Sequence, residues 1–371
     1  MLRAMPPPAA KSSAAPVVAV TGRFGPPPTP SIGLDAVAGH APLRKFLSER
    51  TLAGTLPHAL LLLGPRGVGK RTLAQALAAT HFCAERSGCG RCADCGALLR
   101  GNHAGVLTVT VADGKSAISI EQIQNLSRDL SLAPPDERGR ITLLLAADRM
   151  GAAAQDALLK TLEEPRPGNV LVLTAARGDA VLPTIRSRCQ RFALTPLSDD
   201  EVAAVAARLQ LTPAMPLSVA GGCPGILVEW SAPLVDRLRR GVAQLLAEER
   251  GRDDLGKWIA LLHESEGGEA AEDPEPAQLR ARARLLLRLV LSLVRDAVVL
   301  RASAGGATIR NFDQVERLRA IANRPEWADS AAALARLARA QDRIEGNVDP
   351  ASVLWCALQP AADEAARAGE A

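Results

Sequence analysis

Four short, mostly apolar runs, at 59–63, 106–111, 141–145 and 170–174, are spaced along residues 35–195 with amphipathic stretches between them. Continuous apolar strands separated by helices predict a parallel sheet covered on both faces. Ser119 with Gln122, and Ser198 with Glu201, have the spacing of capping boxes, in which side chains satisfy the free N–H groups of a helix start. The second box follows Pro196 and opens a helical unit that breaks at Gly221, Gly222, Pro224 and Gly225. Residues 264–276, rich in Glu and Gly, read as a loop or linker. Beyond them, 279–301 and 315–344 show long helical periodicity, with Arg284, Arg288 and Arg295 on one face of the first. No internal repeat is visible.

Residues 1–31 carry Pro6 to Pro8, Pro26 to Pro28 and Pro30 among Ala, Ser and Gly, and read as a flexible tail that cannot bury enough surface to offset its ordering entropy. The expected organisation is therefore a tail over 1–31, a P-loop α/β domain over 32–195, a small helical domain over 196–250 and an all-helical domain over 251–371. A chain of 371 residues has room for two or three cores. With 47% hydrophobic and 23% charged residues, disorder is excluded as its main state. Lys and Arg number 44 against 40 acidic residues, so any contact with DNA must be local. The absence of Tyr and the scarcity of Phe and Trp disfavour a reader of single strands that stacks bases on aromatic rings. The N-terminus has no signal-peptide pattern, and the apolar stretch 285–300 is cut by Arg288 and Arg295. The expectation is a soluble, cytoplasmic chain with no membrane partner.

Gly64-Pro65-Arg66-Gly67-Val68-Gly69-Lys70 follows the 59–63 run and opens a helical stretch. Glycines let backbone N–H groups converge on phosphate, and Lys70 can reach the outer phosphates. Gly64, Gly67, Gly69, Lys70 and Thr72 are thus candidate nucleotide-binding residues. The position after Lys70, where a hydroxyl would hold magnesium, is Arg71, and Thr72 lies about 100° further round the helix. The 141–145 run continues Leu145-Ala146-Ala147, with the first acid at Asp148, best read as a turn or cap residue. Magnesium and water both lack their usual holders, so ATP and magnesium remain open as ligands.

Cys83, Cys89, Cys92 and Cys95 follow C-x5-C-x2-C-x2-C, the pattern of a closed, structural zinc site. An iron–sulfur cluster is the rival, although the C-x3-C-P continuation is missing. Cys189, Cys223 and Cys356 are isolated and read as buried small apolar residues. His58 and His103 have packing or hydrogen bonding as their default role. In Ser187-Arg188-Cys189, Arg188 is either a surface ion-pair residue or an arginine finger offered to a neighbour's triphosphate.

Taken together, Leu56-Pro57-His58-Ala59, the four-cysteine insert, the segment 118–123, Asp156-Ala157-Leu158-Leu159-Lys160-Thr161-Leu162-Glu163-Glu164-Pro165 and Thr184-Ile185-Arg186-Ser187-Arg188-Cys189 resemble the bacterial clamp-loader AAA+ subunits of DNA polymerase III. The likeness covers about 35–245. Leu145 and Ala146 stand where the tau/gamma motor has Asp-Glu, and Gly222-Cys223-Pro224-Gly225-Ile226 lacks its nucleotide-sensing Arg, so the resemblance is to the non-hydrolysing delta-prime branch. The Cys83 to Cys89 spacing departs from the family's x8. The resemblance implies an AAA+ core with a zinc module at 83–95, a helical lid and a helical collar in a five-subunit ring. The chain would be inactive on its own but part of the DNA polymerase III holoenzyme, a DNA-directed DNA polymerase. Implied partners are the delta and tau/gamma subunits, with the sliding clamp and primed DNA as the objects handled. Arg188 would act in trans on the neighbouring ATP site. The alternatives are an active tau/gamma-like ATPase and a zinc-bearing scaffold of another AAA+ ring.

Overall fold

A computed structural model describes residues 31–112, 115–212, 215–248, 254–264, 275–302, 309–324, 327, 330–344 and 348–359. The tail expected at 1–31 and the linker at 264–276 lie almost wholly outside these residues. In chain order the first elements are α1 (Ala41–Leu52), β1 (Ala59–Leu63), α2 (Lys70–Phe82), α3 (Ala93–Leu99), β2 (Val106–Val109), α4 (Ile120–Ser131) and β3 (Arg140–Leu144). There follow α5 (Ala152–Glu163), β4 (Asn169–Ala175), α6 (Pro183–Arg188) and β5 (Gln190–Ala193). The remainder is helical: α7 (Asp199–Arg208), α8 (Pro224–Trp230), α9 (Pro233–Ala247), α10 (Leu255–His263), α11 (Pro276–Ala302), α12 (Val315–Ala322), α13 (Ser330–Arg343) and α14 (Pro350–Leu358). Among the described residues, no helix is long and apolar enough to cross a membrane.

The strands form one sheet in the order β2-β3-β4-β1-β5, with every pairing parallel. Alternation along β1 sends Leu60 and Leu62 to one face, where α1 and α2 pack, and Ala59 and Leu61 to the other, under α4 and α5. Both expected capping boxes are formed, at Ser119 and at Ser198. The β5 strand was not expected. The helical pattern at 315–344 divides into α12 and α13; α12 stops short of Pro325, because a residue preceding proline is pushed out of the helical region.

The apolar residues of the helical part belong to two cores. Val202 and Ala206 of α7 and Leu227 of α8 join the sheet's core, with Leu60, Leu73 and Val172. Leu234, Leu238 and Val242 of α9 join a separate core built on Leu286, Leu293, Leu318 and Leu337. The segment 196–250, read from sequence as one small domain, therefore contributes to both.

A buried charge network braces the second core. Arg239, 1% exposed, donates to Asp236 at 2.9 Å, to Asp313 at 2.9 and 2.5 Å, and to Asn311 at 3.3 Å. The Asn311 amide in turn donates to the buried Asp296 at 2.8 Å. Removing one member of such a network strands the others away from water, so Arg239→Ala is expected to destabilise this part of the fold by about 3–5 kcal/mol. Urea unfolding followed by circular dichroism would read this as an earlier transition, whereas Arg319→Ala, at an exposed pair, should leave the transition nearly unmoved.

Candidate functional site

The end of β1 delivers the chain into the loop 64–69, and α2 begins at Lys70. Gly67 and Gly69 have φ of +80° and +109°, conformations that L side chains rarely adopt. Gly67 also has a neighbour: a Cβ there would lie 3.0 Å from the Ile226 nitrogen at the start of α8. Its carbonyl accepts from the Gly225 N–H at 2.9 Å. The loop is thus shaped by α8 as well as by its own glycines. The Arg66 guanidinium lies 3.5 Å from Glu229 of α8, which also accepts from Arg288 of α11 at 2.9 Å, so one carboxylate ties loop, α8 and α11 together.

The Lys70 ammonium donates to the carbonyls of Gly64, at 2.6 Å, and Pro65, at 2.8 Å. Burial lowers its pKa, against the pull of the Asp148 carboxylate. Thr72 is exposed. Arg71 is half-buried, and its Nε is shielded from solvent with no hydrogen-bond partner. Beyond β3, Leu145 is buried and the Ala146 N–H donates to Thr174 Oγ1 at 2.9 Å. Asp148 Oδ2 accepts from the N–H groups of Ala176 and Arg177, each at 3.1 Å, which ties the end of β4 to the turn. The structure also brings in a residue that the sequence did not single out. The Arg310 guanidinium fills the space a Cβ on Gly221 would need, at 2.5 Å; burial pushes the Cys223 thiol up, against the pull of the Arg310 and Lys70 charges.

The four cysteines converge. Cys83 caps the end of α2, Cys92 caps the start of α3 and Cys95 lies within α3; their Sγ atoms and that of Cys89 all lie within 4.8 Å of one another. Burial opposes ionisation of Cys83, yet N–H groups of Cys89, Ser87 and Glu85 bring its thiol down to about 6. Burial pushes the Cys95 thiol up. Asp94, between two of the cysteines, is clamped by His103 at 3.1 Å and by Arg138 at 2.7 Å. His103 Nδ1 accepts from the Gly105 N–H, so a neutral ring carries its proton on Nε2 and donates it to Asp94. This is the hydrogen-bonding role expected of His103.

Arg188 ends α6. Its guanidinium donates to Glu163 at 2.6 Å and to the Thr184 carbonyl at 3.0 Å, and its side chain remains 35% exposed. Pro183, Arg186, Ser187 and Arg191 line an open depression of about 260 Å³ beside it.

A parallel sheet whose β1 runs into a glycine loop, a lysine and a helix defines a P-loop domain. Residues 39–198 match the family described as "DNA polymerase III, delta subunit". The DNA polymerase III subunit delta' of Pseudomonas aeruginosa is 36% identical over 135 residues, 36% of this chain and 41% of that protein. That of Bacillus subtilis is 36% identical over 155 residues, 41% of this chain and 46% of that protein. The gamma/tau subunit of Mycobacterium tuberculosis is 32% identical over 176 residues, 47% of this chain and 30% of its own. A gamma subunit-related protein of Thermotoga maritima, of known structure, aligns at 18% identity and a TM-score of 0.41, covering 84% of this chain and 97% of its own. Over residues 39–198 this chain is thus similar to the DNA polymerase III delta-prime subunits. The chain spans less than half the length of the curated relatives it matches.

Proposed function

We propose that this chain is a non-hydrolysing, delta-prime-like subunit of the DNA polymerase III clamp loader, supporting ATP-dependent loading of the sliding clamp onto primed DNA in the cytoplasm. The observation that carries the reading is the lack of metal and water holders around the P-loop: Arg71 where a hydroxyl belongs, and Leu145 and Ala146 where acids belong. Arg188, at the exposed end of α6, supplies the complementary part. A guanidinium forks onto phosphate oxygens, so Arg188 would enter the ATP site of an adjacent tau/gamma subunit and neutralise charge there. Delta and tau/gamma subunits are then its ring neighbours, with α7 and α8 acting as the lid and the helices from α9 onward forming the collar.

The thiol cluster suits a single structural zinc. Four sulfurs at Zn–S distances of about 2.3 Å lie close enough together to match the observed convergence, and the shell leaves no open position. A cluster of several irons would hold its thiolates further apart. Cys83, Cys89, Cys92 and Cys95 would hold the ion, and the Asp94 clamp with His103 and Arg138 would fix α3 against the core.

The isolated chain is expected to show no magnesium-dependent ATP hydrolysis, and to co-purify with delta and tau/gamma when these are co-expressed. Turnover by the isolated chain, abolished by Lys70→Ala, would mean that its own site is active. Hydrolysis by a contaminant would survive that substitution.

A further inference from the structure

Two further arginines flank Arg188. Arg186 lies two residues before it on α6, about 200° round the helix from the side that meets Glu163. Arg191 lies on β5, the outer strand of the sheet, which pairs only with β1. With Pro183 and Ser187 they line the open depression of about 260 Å³ at this edge. The Arg186 side chain is half-buried, and its Nε is shielded from solvent with no hydrogen-bond partner. Among the described residues neither Arg186 nor Arg191 has an ion pair or a side-chain hydrogen bond, whereas Arg188 has both. No acid lines the depression, and the Ser187 hydroxyl spends its proton on the Thr184 carbonyl at 3.0 Å. The positive charge of this edge is therefore not balanced from within the chain. A guanidinium already partly stripped of water gains more from an anion than a fully solvated one, because the pair is screened less.

We propose that Arg186 and Arg191 form a dock for a carboxylate of the tau/gamma subunit whose ATP site receives Arg188, fixing that subunit's approach while Arg188 acts on its triphosphate. A guanidinium forks onto a carboxylate as it does onto phosphate, so two of them can hold one acidic side chain in a set orientation. Nucleic acid suits this edge less well. A strand laid along it would bring its row of phosphates up to the carboxylate of Glu163, whereas a single acidic side chain fills the depression alone. Because the dock serves the subunit that receives Arg188, it rests on the reading of this chain as a ring partner of tau/gamma.

The test is isothermal titration of the full chain with tau/gamma, together with ATP turnover at the neighbouring site as the concentration of this chain is raised. In the double variant Arg186→Glu with Arg191→Glu, the dissociation constant is expected to rise about a hundredfold, since like charges are then brought together. Turnover should return to the wild-type value once the variant is saturating, whereas Arg188→Ala should stay low. Should the double variant fail to fold by circular dichroism, Arg186→Gln is expected to weaken binding about tenfold with the same recovery. Lys45→Glu, at an exposed pair on α1, should leave the affinity within about twofold of wild type. Wild-type chain that does not bind tau/gamma would sink the ring reading and the dock together. Binding that is unmoved by the arginine variants, or is weakened equally by Lys45→Glu, would overturn the dock alone. So would turnover that saturation does not restore, or variants that keep tau/gamma and lose primed DNA instead.

Discussion

In a clamp loader reconstituted around this chain, Arg188→Ala should lower DNA- and clamp-stimulated ATP hydrolysis by about 10³-fold at the neighbouring site, the lower end of what an arginine finger contributes elsewhere. Other sites in the ring could mask this loss, so the measurement needs tau/gamma subunits active only next to this chain. Arg188→Lys should recover little, since an ammonium keeps the charge but cannot fork onto two phosphate oxygens. In the free chain the guanidinium is held by Glu163 at 2.6 Å. Both partners are more than a third exposed, so the pair contributes well under 1 kcal/mol and would release the guanidinium readily. Turnover within twofold of the wild type, with assembly intact, would reduce Arg188 to a surface ion-pair residue.

Cys95→Ser should abolish stoichiometric zinc, measured by plasma emission on protein purified without added metal. Structural zinc sites of four thiolates draw about 10–16 kcal/mol from the ion, and a serine hydroxyl is a far poorer ligand than a thiolate. Without zinc, the loop between α2 and α3 should become a site of rapid tryptic cleavage at Arg86 and Arg91, which lie inside the module. Cys189, buried as expected, and Cys356, which is exposed at α14 and not buried as expected, lie outside the cluster, so serine at either should retain the metal. Full zinc content in Cys95→Ser, or iron in place of zinc in the wild type, would refute the assignment.

The parts most legible in the sequence depend on neighbours along the chain. β1 falls where its run of leucines predicts, and the ends of β2, β3 and β4 shift by one or two residues. The cysteines converge because their spacing restricts them to one loop and the flanking helix ends. β5 was missed because Gln190-Arg191-Phe192-Ala193 is an edge strand with little apolar pattern. Periodicity shows that α9 is amphipathic but cannot say which core its apolar face meets. Arg310 is likewise invisible in sequence as a neighbour of Gly221 and Cys223, because only the packing of α11 and α12 brings it there.

The division of the cores also sets where this chain can be cut. A fragment ending near 250 would carry α9 without the helices it packs on, leaving Leu234, Leu238, Val242, Leu245 and Leu246 as an unmatched greasy stripe that invites precipitation. A fragment ending at about 231 stops after α8 and keeps every apolar partner of the sheet; it bares only Met215, Val219 and Trp230 of the second core's buried residues and should be the better behaved of the two.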